Sequence, residues 1–332
     1  MRCLRPFLCL IACAVLAACA PTRMTVGPAA MAPVLTQTGA GLAARMEDGA
    51  WLPVRVFKAD NPRAVILALH GFNDYSNAFA APGPGPWFAA QGIALYAYDQ
   101  RGFGRAPGHG YWAGGKAMVR DATTMVRLLR TRHPGLPVYV MGASMGGAVA
   151  MNLAARPDAP EIDGLILAAP AVWGWRSMNL LYRSALWTAA HVAPDRRLSG
   201  QGLGIMPSDN IEMLRGLGRD PLVIKETRIA TVYGLVGLMD DAYRLAPKIS
   251  VPVLYLYGAN DELVPRPPTA HAVRALAANG AALALRCVER GWHMLLRDKE
   301  REAVWKDILS WIKAPGRAAS SNEAMRKSCG LL

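Results

Sequence analysis

A serine stands between two glycines at Gly142-Ala143-Ser144-Met145-Gly146. Just before it, Val138 to Met141 form an apolar run; just after it, Ala148 to Ala155 are mostly small. The first run reads as a buried parallel strand, the second as a helix able to pack close to a sheet. A strand that turns directly into a helix leaves no room for side chains flanking the turn, so both flanks are glycine. The serine at the apex is held in a strained conformation with its oxygen exposed. The helix N-terminus offers unpaired N–H groups and a partial positive charge. A bare Gly-x-Ser-x-Gly also occurs as an ordinary turn; the strand before and the helix after separate the two cases. Here they suit a nucleophile whose attack creates an oxyanion. Such a nucleophile requires a base, an orienting acid and a second oxyanion donor from elsewhere in the chain.

The elements that must supply them follow from hydrophobic pattern. Trp51 to Phe57 alternates as an early, half-exposed strand. Ala64–Leu69, Ile93–Tyr98, Gly164–Pro170, Pro252–Gly258 and Ala281–Val288 are continuous apolar runs, predicted as buried strands. Met118, Ala122, Met125, Val126 and Leu129 recur at helical spacing, and a closing helix is predicted over Arg301–Ile312. Buried strands alternating with helices imply an α/β fold with a doubly wound, mostly parallel sheet. In such sheets, sites form at the C-terminal ends of strands. Polar motifs stand at those ends: His70-Gly71-Phe72 after one strand, Asp99-Gln100-Arg101-Gly102-Phe103-Gly104 after the next, Gly258 to Asp261, and Gly291-Trp292-His293.

With the serine motif, these elements resemble the α/β-hydrolase fold, and within it the monoacylglycerol lipase and lysophospholipase-like branch. The resemblance runs from about Ala64 to Met294. It implies the triad Ser144, Asp261 and His293, in the chain order this fold uses. It also implies an oxyanion hole made by the backbone N–H groups of Phe72 and Met145, with no cofactor and no metal. Elimination points to the same base. Of the six histidines, His70 belongs to the oxyanion loop and His109 to a Pro-Gly-His-Gly loop. His133 ends a helix, His191 sits in an insertion and His271 lies on a predicted helix. His293 alone closely follows the final strand, where a base could reach the nucleophile from a loop at the same sheet edge. For the acid, Glu262 is the nearest rival to Asp261. His70, Asp99 and Arg101 are expected to brace loops.

About eighty residues separate the strands ending near Pro170 and starting near Pro252, more than one helical crossover needs. The insertion resembles the helical cap of this fold, and Trp173, Trp175, Met178 and Leu181 are its expected substrate-facing residues. Glu212, Asp220 or Glu226 could instead hold a substrate amine, as an aminopeptidase of this superfamily would require.

The chain opens with Arg2 and Arg5, then an apolar stretch from Phe7 to Ala18 too short to span a bilayer. It ends Leu16-Ala17-Ala18-Cys19, which resembles a bacterial lipobox, whose cysteine is lipidated. Ala20 after it implies outer-membrane sorting, facing the periplasm, if the organism is Gram-negative. The expected organisation is a signal peptide at 1–18 and a lipidated tether at 19–38. A catalytic domain at 39–172 and 246–315, a cap at 173–245 and a tail at 316–332 follow. Cys287 and Cys329 are either one disulfide or free thiols. The net charge of +13 favours anionic surfaces such as a phospholipid layer. The basic residues are scattered without a nucleic-acid-binding motif, so no nucleic-acid partner is expected. The expected function is a membrane-tethered serine hydrolase acting on an amphiphilic ester, and the sequence names no protein partner.

Overall fold

Apolar runs with no polar alternation are stable only inside a sheet covered on both faces, and that is where they lie. The computed structural model describes residues 21, 23–202, 204–278, 280, 282–315 and 329–331. Its strands are β1 (Val34–Thr38), β2 (Gly41–Arg45), β3 (Trp51–Phe57), β4 (Ala64–Leu69), β5 (Ile93–Tyr98), β6 (Val138–Ala143), β7 (Gly164–Ala168), β8 (Arg197–Ser199), β9 (Glu226–Arg228), β10 (Val253–Gly258) and β11 (Leu283–Val288). Its helices are α1 (Gly85–Ala90), α2 (Gly115–Arg132), α3 (Met145–Ala154), α4 (Leu180–Val192), α5 (Ile211–Arg219), α6 (Ile229–Leu245), α7 (Arg266–Ala278) and α8 (Arg301–Lys313).

The main sheet runs β1-β2-β3-β5-β4-β6-β7-β10-β11 across its width. From β5 to β11 every pairing is parallel; β1, β2 and β3 join antiparallel at one edge. Side chains alternate between faces along each strand. Val65, Leu67 and Leu69 of β4 face Met118 and Met125 of α2, Val149 of α3 and Val273 of α7. Ile66 and Ala68 face Phe88 of α1 and Trp305 and Ile308 of α8. The sheet is thus doubly wound, as the run pattern requires. Between β7 and β10 the chain leaves the sheet and forms α4, α5, α6 and the small β8–β9 pair.

The tether expected over 19–38 ends earlier: Val34–Thr38 pairs with Gly41–Arg45 as a hairpin at the sheet edge. Further back, the Met24 N–H donates to the Trp112 carbonyl at 3.0 Å, and Met24 packs on the core. The Pro, Ala, Gly and Thr composition hid a β-branched alternation at Val34, Thr36 and Thr38. Within the expected tail at 316–332, residues 329–331 lie against the domain, and of the two readings of the cysteines the disulfide is the one found. Cys329 and Leu331 are buried, and Cys329 is disulfide-bonded to Cys287 of β11, 42 residues earlier. A cross-link over that span removes up to about 4 kcal/mol of chain entropy from the unfolded state.

Candidate active site

Ser144 lies between β6 and α3 with φ 51° and ψ −115°, a conformation rare for a residue with a side chain. Its N–H donates to the Ala168 carbonyl at 3.0 Å, and its carbonyl accepts from Ala171 N–H at 2.9 Å. These bonds hold the strained turn against β7. The glycines are a steric necessity: a Cβ on Gly142 would run into Gly146, and one on Gly146 into the Leu69 carbonyl. Met145 is the first residue of α3, so its N–H has no acceptor within the helix. Its side chain is fully buried.

The loop after β4 packs against this turn. His70 is fully buried. Its Nε2 accepts the Gln100 N–H at 3.0 Å, which assigns the ring proton to Nδ1, 2.8 Å from the Gly71 carbonyl. Burial pushes its pKa down. Neutral and with both nitrogens used, it braces the loop and has no spare site for proton transfer. Phe72 stands edge-on to Phe103. Asp99 accepts the Ser76 N–H at 3.0 Å and the Arg105 N–H at 2.8 Å. Arg101 is buried between Asp48 and Asp121. All three polar residues anchor loops.

Asp261 follows β10 and His293 follows β11. His293 Nδ1 is 2.8 Å from Asp261 Oδ2, with both side chains almost wholly buried. Asp261 Oδ1 accepts the N–H groups of Leu263 and Val264 at 2.8 and 2.9 Å. The carboxylate is therefore fixed from both oxygens, and Nε2 is the imidazole nitrogen left free for chemistry. Glu262 is exposed and accepts the Met206 N–H at 2.7 Å, away from the imidazole. The loop bearing His293 is itself tied down. Asp298, 3% exposed, accepts the Trp292 N–H at 2.8 Å and the Ser208 hydroxyl at 2.6 Å. Burial raises its pKa. Among the described residues the other histidines are engaged elsewhere: His109 with Gly104, His133 with Tyr96, His191 with Trp187 and His271 against Tyr243.

Ser144 and His293 line one cavity of about 320 Å³, together with Gly71 and Phe72. They form no direct hydrogen bond among the described residues; such bonds commonly tighten only with substrate in place. The remaining wall is mostly apolar: Phe79, Leu214, Leu217, Leu263, Leu295 and Leu296. Its polar end holds Asn73 and the ion pair of Asp74 with Arg297, each of whose side chains is at most 12% exposed.

The four substrate-facing residues expected from the insertion are not at this cavity. Trp173 packs edge-on to Tyr182, and Trp175 packs on Tyr233. Met178 packs on the core and Leu181 is 73% exposed. They belong to the start of the insertion, whereas the segment over Ser144 is its middle, Pro207 with Leu214 and Leu217 of α5. The missed signal was the spacing of Ile211, Leu214 and Leu217, three residues apart in a short amphipathic helix. Of the three candidate amine-binding acids, none lines the cavity. Glu212 pairs with Arg215, Asp220 accepts the Tyr75 hydroxyl at 2.7 Å, and Glu226 is exposed. No cluster of His, Cys, Asp and Glu among the described residues is arranged to hold a metal ion. No described helix is long and apolar enough to cross a membrane. Cys19 lies outside the described residues.

Residues 60–300 match the family described as serine aminopeptidase, S33. The chain is 26% identical over 261 residues to the monoacylglycerol lipase of Mycolicibacterium smegmatis, covering 76% of this chain and 89% of that one. It is 26% identical over 277 residues to human monoglyceride lipase, covering 80% and 88%. In fold it is similar to a soluble variant of the Saccharomyces cerevisiae monoglyceride lipase solved with a substrate analogue. There the TM-score is 0.69 at 21% identity, over 89% of this chain and 98% of that one. On the family match over residues 60–300, most of its length, the chain belongs to the serine aminopeptidase S33 family of α/β hydrolases.

Proposed function

We propose that the protein is a membrane-tethered serine hydrolase of acyl esters, with monoacylglycerol or a lysophospholipid as substrate. The observation that carries this reading is the 2.8 Å contact of His293 with Asp261 beside the strained turn of Ser144. His293 Nε2 takes the Ser144 proton as Oγ attacks the ester carbonyl carbon. Asp261 holds the Nδ1–H tautomer and stabilises the imidazolium. The N–H groups of Phe72 and Met145 receive the oxyanion; losing one such donor costs roughly a hundred- to thousand-fold in rate. His293 then gives its proton to the departing alcohol oxygen. A water, deprotonated by the same imidazole, hydrolyses the acyl-enzyme. The apolar wall suits the acyl chain, and the Asp74–Arg297 end suits a polar alcohol.

The relatives named monoacylglycerol and monoglyceride lipases favour the ester reading. The family description favours a peptidase as the second reading. A peptidase of this kind needs a carboxylate beside the cavity to take the substrate's amine, and Asp74 there is already held by Arg297. The test compares p-nitrophenyl acyl esters and monoacylglycerol with an aminoacyl anilide. Ester turnover should dominate and should vanish in Ser144→Ala, with the melting midpoint unchanged. Turnover retained in that variant would remove Ser144 from the mechanism.

The tether is part of the same reading. Acylation of Cys19 would hold the enzyme at the cell envelope, on the periplasmic face of the outer membrane if the cell is Gram-negative. The Cys287–Cys329 disulfide fits an oxidising compartment. Cys19→Ser should move the protein from the membrane to the soluble fraction; unchanged fractionation would end the anchor assignment.

A further inference from the structure

A second cavity, of about 790 Å³, shares no lining residue with that of Ser144. It opens at the N-terminus of α2, where the docked N-terminal arm crosses Trp112. Four cations line it, Arg23, Lys116, Arg120 and Arg156, of which Arg156 is already paired through two hydrogen bonds with Asp158. The single acid among its lining residues, Asp241, pairs with Arg244. Arg23 and Lys116 have no ion-pair partner among the described residues. Arg120 stands 3.7 Å from Asp48, but both Asp48 oxygens already accept from Arg101, and Arg120 Nη2 has no hydrogen-bond acceptor. The charges of Arg23, Lys116 and Arg120 round one cavity repel each other, and an anion between them would relieve that cost.

The backbone adds to the charge. The N-cap of α2 is Gly114, which brings no side-chain acceptor, and the first turn contains no acid. Ala117 and Met118 N–H groups turn back to Gly114, while those of Gly115 and Lys116 have no acceptor within the helix. A Cβ on Gly114 would meet nothing within 4 Å, so the space beside this residue, which lines the cavity, is open. Cationic side chains, free helix N–H groups and a dipole of matching sign together make a phosphate cradle.

We propose that this cavity binds a phosphate group, carried by a phospholipid headgroup or by a small soluble phosphate. The site does not depend on the reading of Ser144. If Cys19 is acylated, Arg23 lies four residues from the anchored end, where headgroups are the phosphates at hand. Occupancy would then hold the docked arm, and with it the enzyme's orientation, against the membrane.

The test titrates the full-length protein in nonionic detergent by calorimetry. The probes are inorganic phosphate, glycerophosphoglycerol as a deacylated headgroup, and glycerol as a neutral control. Saturable binding of the phosphates but not of glycerol is expected. Tighter binding of glycerophosphoglycerol would identify a headgroup site, and equal binding a site for free phosphate. Lys116→Glu should weaken phosphate binding at least about tenfold, the scale of one lost charge-assisted bond. Its melting midpoint should not fall, because a carboxylate in the first turn favours the helix. Turnover of p-nitrophenyl butyrate should be unchanged. Absence of saturable binding to the unsubstituted protein, or unchanged affinity in Lys116→Glu, would overturn the proposal.

Discussion

At the scale of single residues, neighbours in sequence have been given opposite tasks by a few ångströms of geometry. Asp261 and Glu262 are both carboxylates just past the same strand. Only Asp261 meets the imidazole, and its second oxygen is consumed by two backbone N–H groups. Asp261→Asn would present the wrong partner to Nδ1–H and favour the wrong tautomer. It should lower kcat on a soluble ester about a thousand- to ten-thousand-fold. Glu262→Gln should change it by less than about twofold, since that side chain is exposed and accepts the Met206 N–H rather than meeting the ring. Equal losses in the two variants, measured in parallel, would contradict the assignment. His70 makes the complementary point. It precedes Gly71 at the heart of the site, yet its bonds to Gln100 and Gly71 use both ring nitrogens.

At the scale of elements, the insertion covers the cavity and also holds both of the loops that work in it. Asn73 donates to Thr227 at 2.7 Å, and Ile224 N–H donates to the Asn73 carbonyl at 3.0 Å, pinning the loop of Phe72. Ser208 reaches Asp298 beneath Trp292, and Met294 N–H reaches the Pro207 carbonyl at 3.0 Å, pinning the loop of His293. Seating of the cap is thus coupled to the geometry of the loops that carry Phe72 and His293, the proposed oxyanion donor and base. In the proposed reading, the element that faces the acyl chain is α5, whose Leu214 and Leu217 line the cavity. Leu217→Ala should lower kcat/KM about tenfold on a long-chain monoacylglycerol, the scale of a few lost methylene contacts. The same variant should change turnover of an acetyl ester by less than about twofold. A uniform loss across chain lengths would place Leu217 in the structure of the cap rather than against the substrate. Helix α4 is different in kind. Its Leu180, Leu181 and Val192 are each more than 70% exposed, and only Ala190 is buried. None of its residues lines the cavity, so Leu181, the one expected residue that it carries, lies elsewhere.

At the scale of the whole molecule, burial of histidines sets how stability responds to acid. Burial lowers the pKa of His70, His133 and His271. Each is held neutral in the folded state at pH values where the unfolded chain would take up a proton. Stability is therefore fully present above the unfolded value of about 6.5 and is lost as pH falls from there towards the folded values. The slope reaches at most about 1.4 kcal/mol per pH unit for the fully buried His70, and solvent screening makes it smaller for the half-buried His133 and His271. The midpoint of chemical denaturation should accordingly fall between pH 7 and pH 5.5; a flat profile would contradict it. What local pattern determines in this chain is what depends on near neighbours. Continuous apolar runs make a covered parallel sheet, and glycines round Ser144 make a turn too tight for anything larger. The position of His293 after the last strand follows from chain order. Folding alone decided the rest, because each case needs groups that meet only across the fold. The β1–β2 hairpin gains its strand character from pairing at the sheet edge. The choice between Asp261 and Glu262 rests on which side chain points inward. Leu214 and Leu217, rather than Trp173 or Leu181, reach the cavity because the middle of the insertion folds back over Ser144. Cys329 finds Cys287 only once the end of the chain returns to β11.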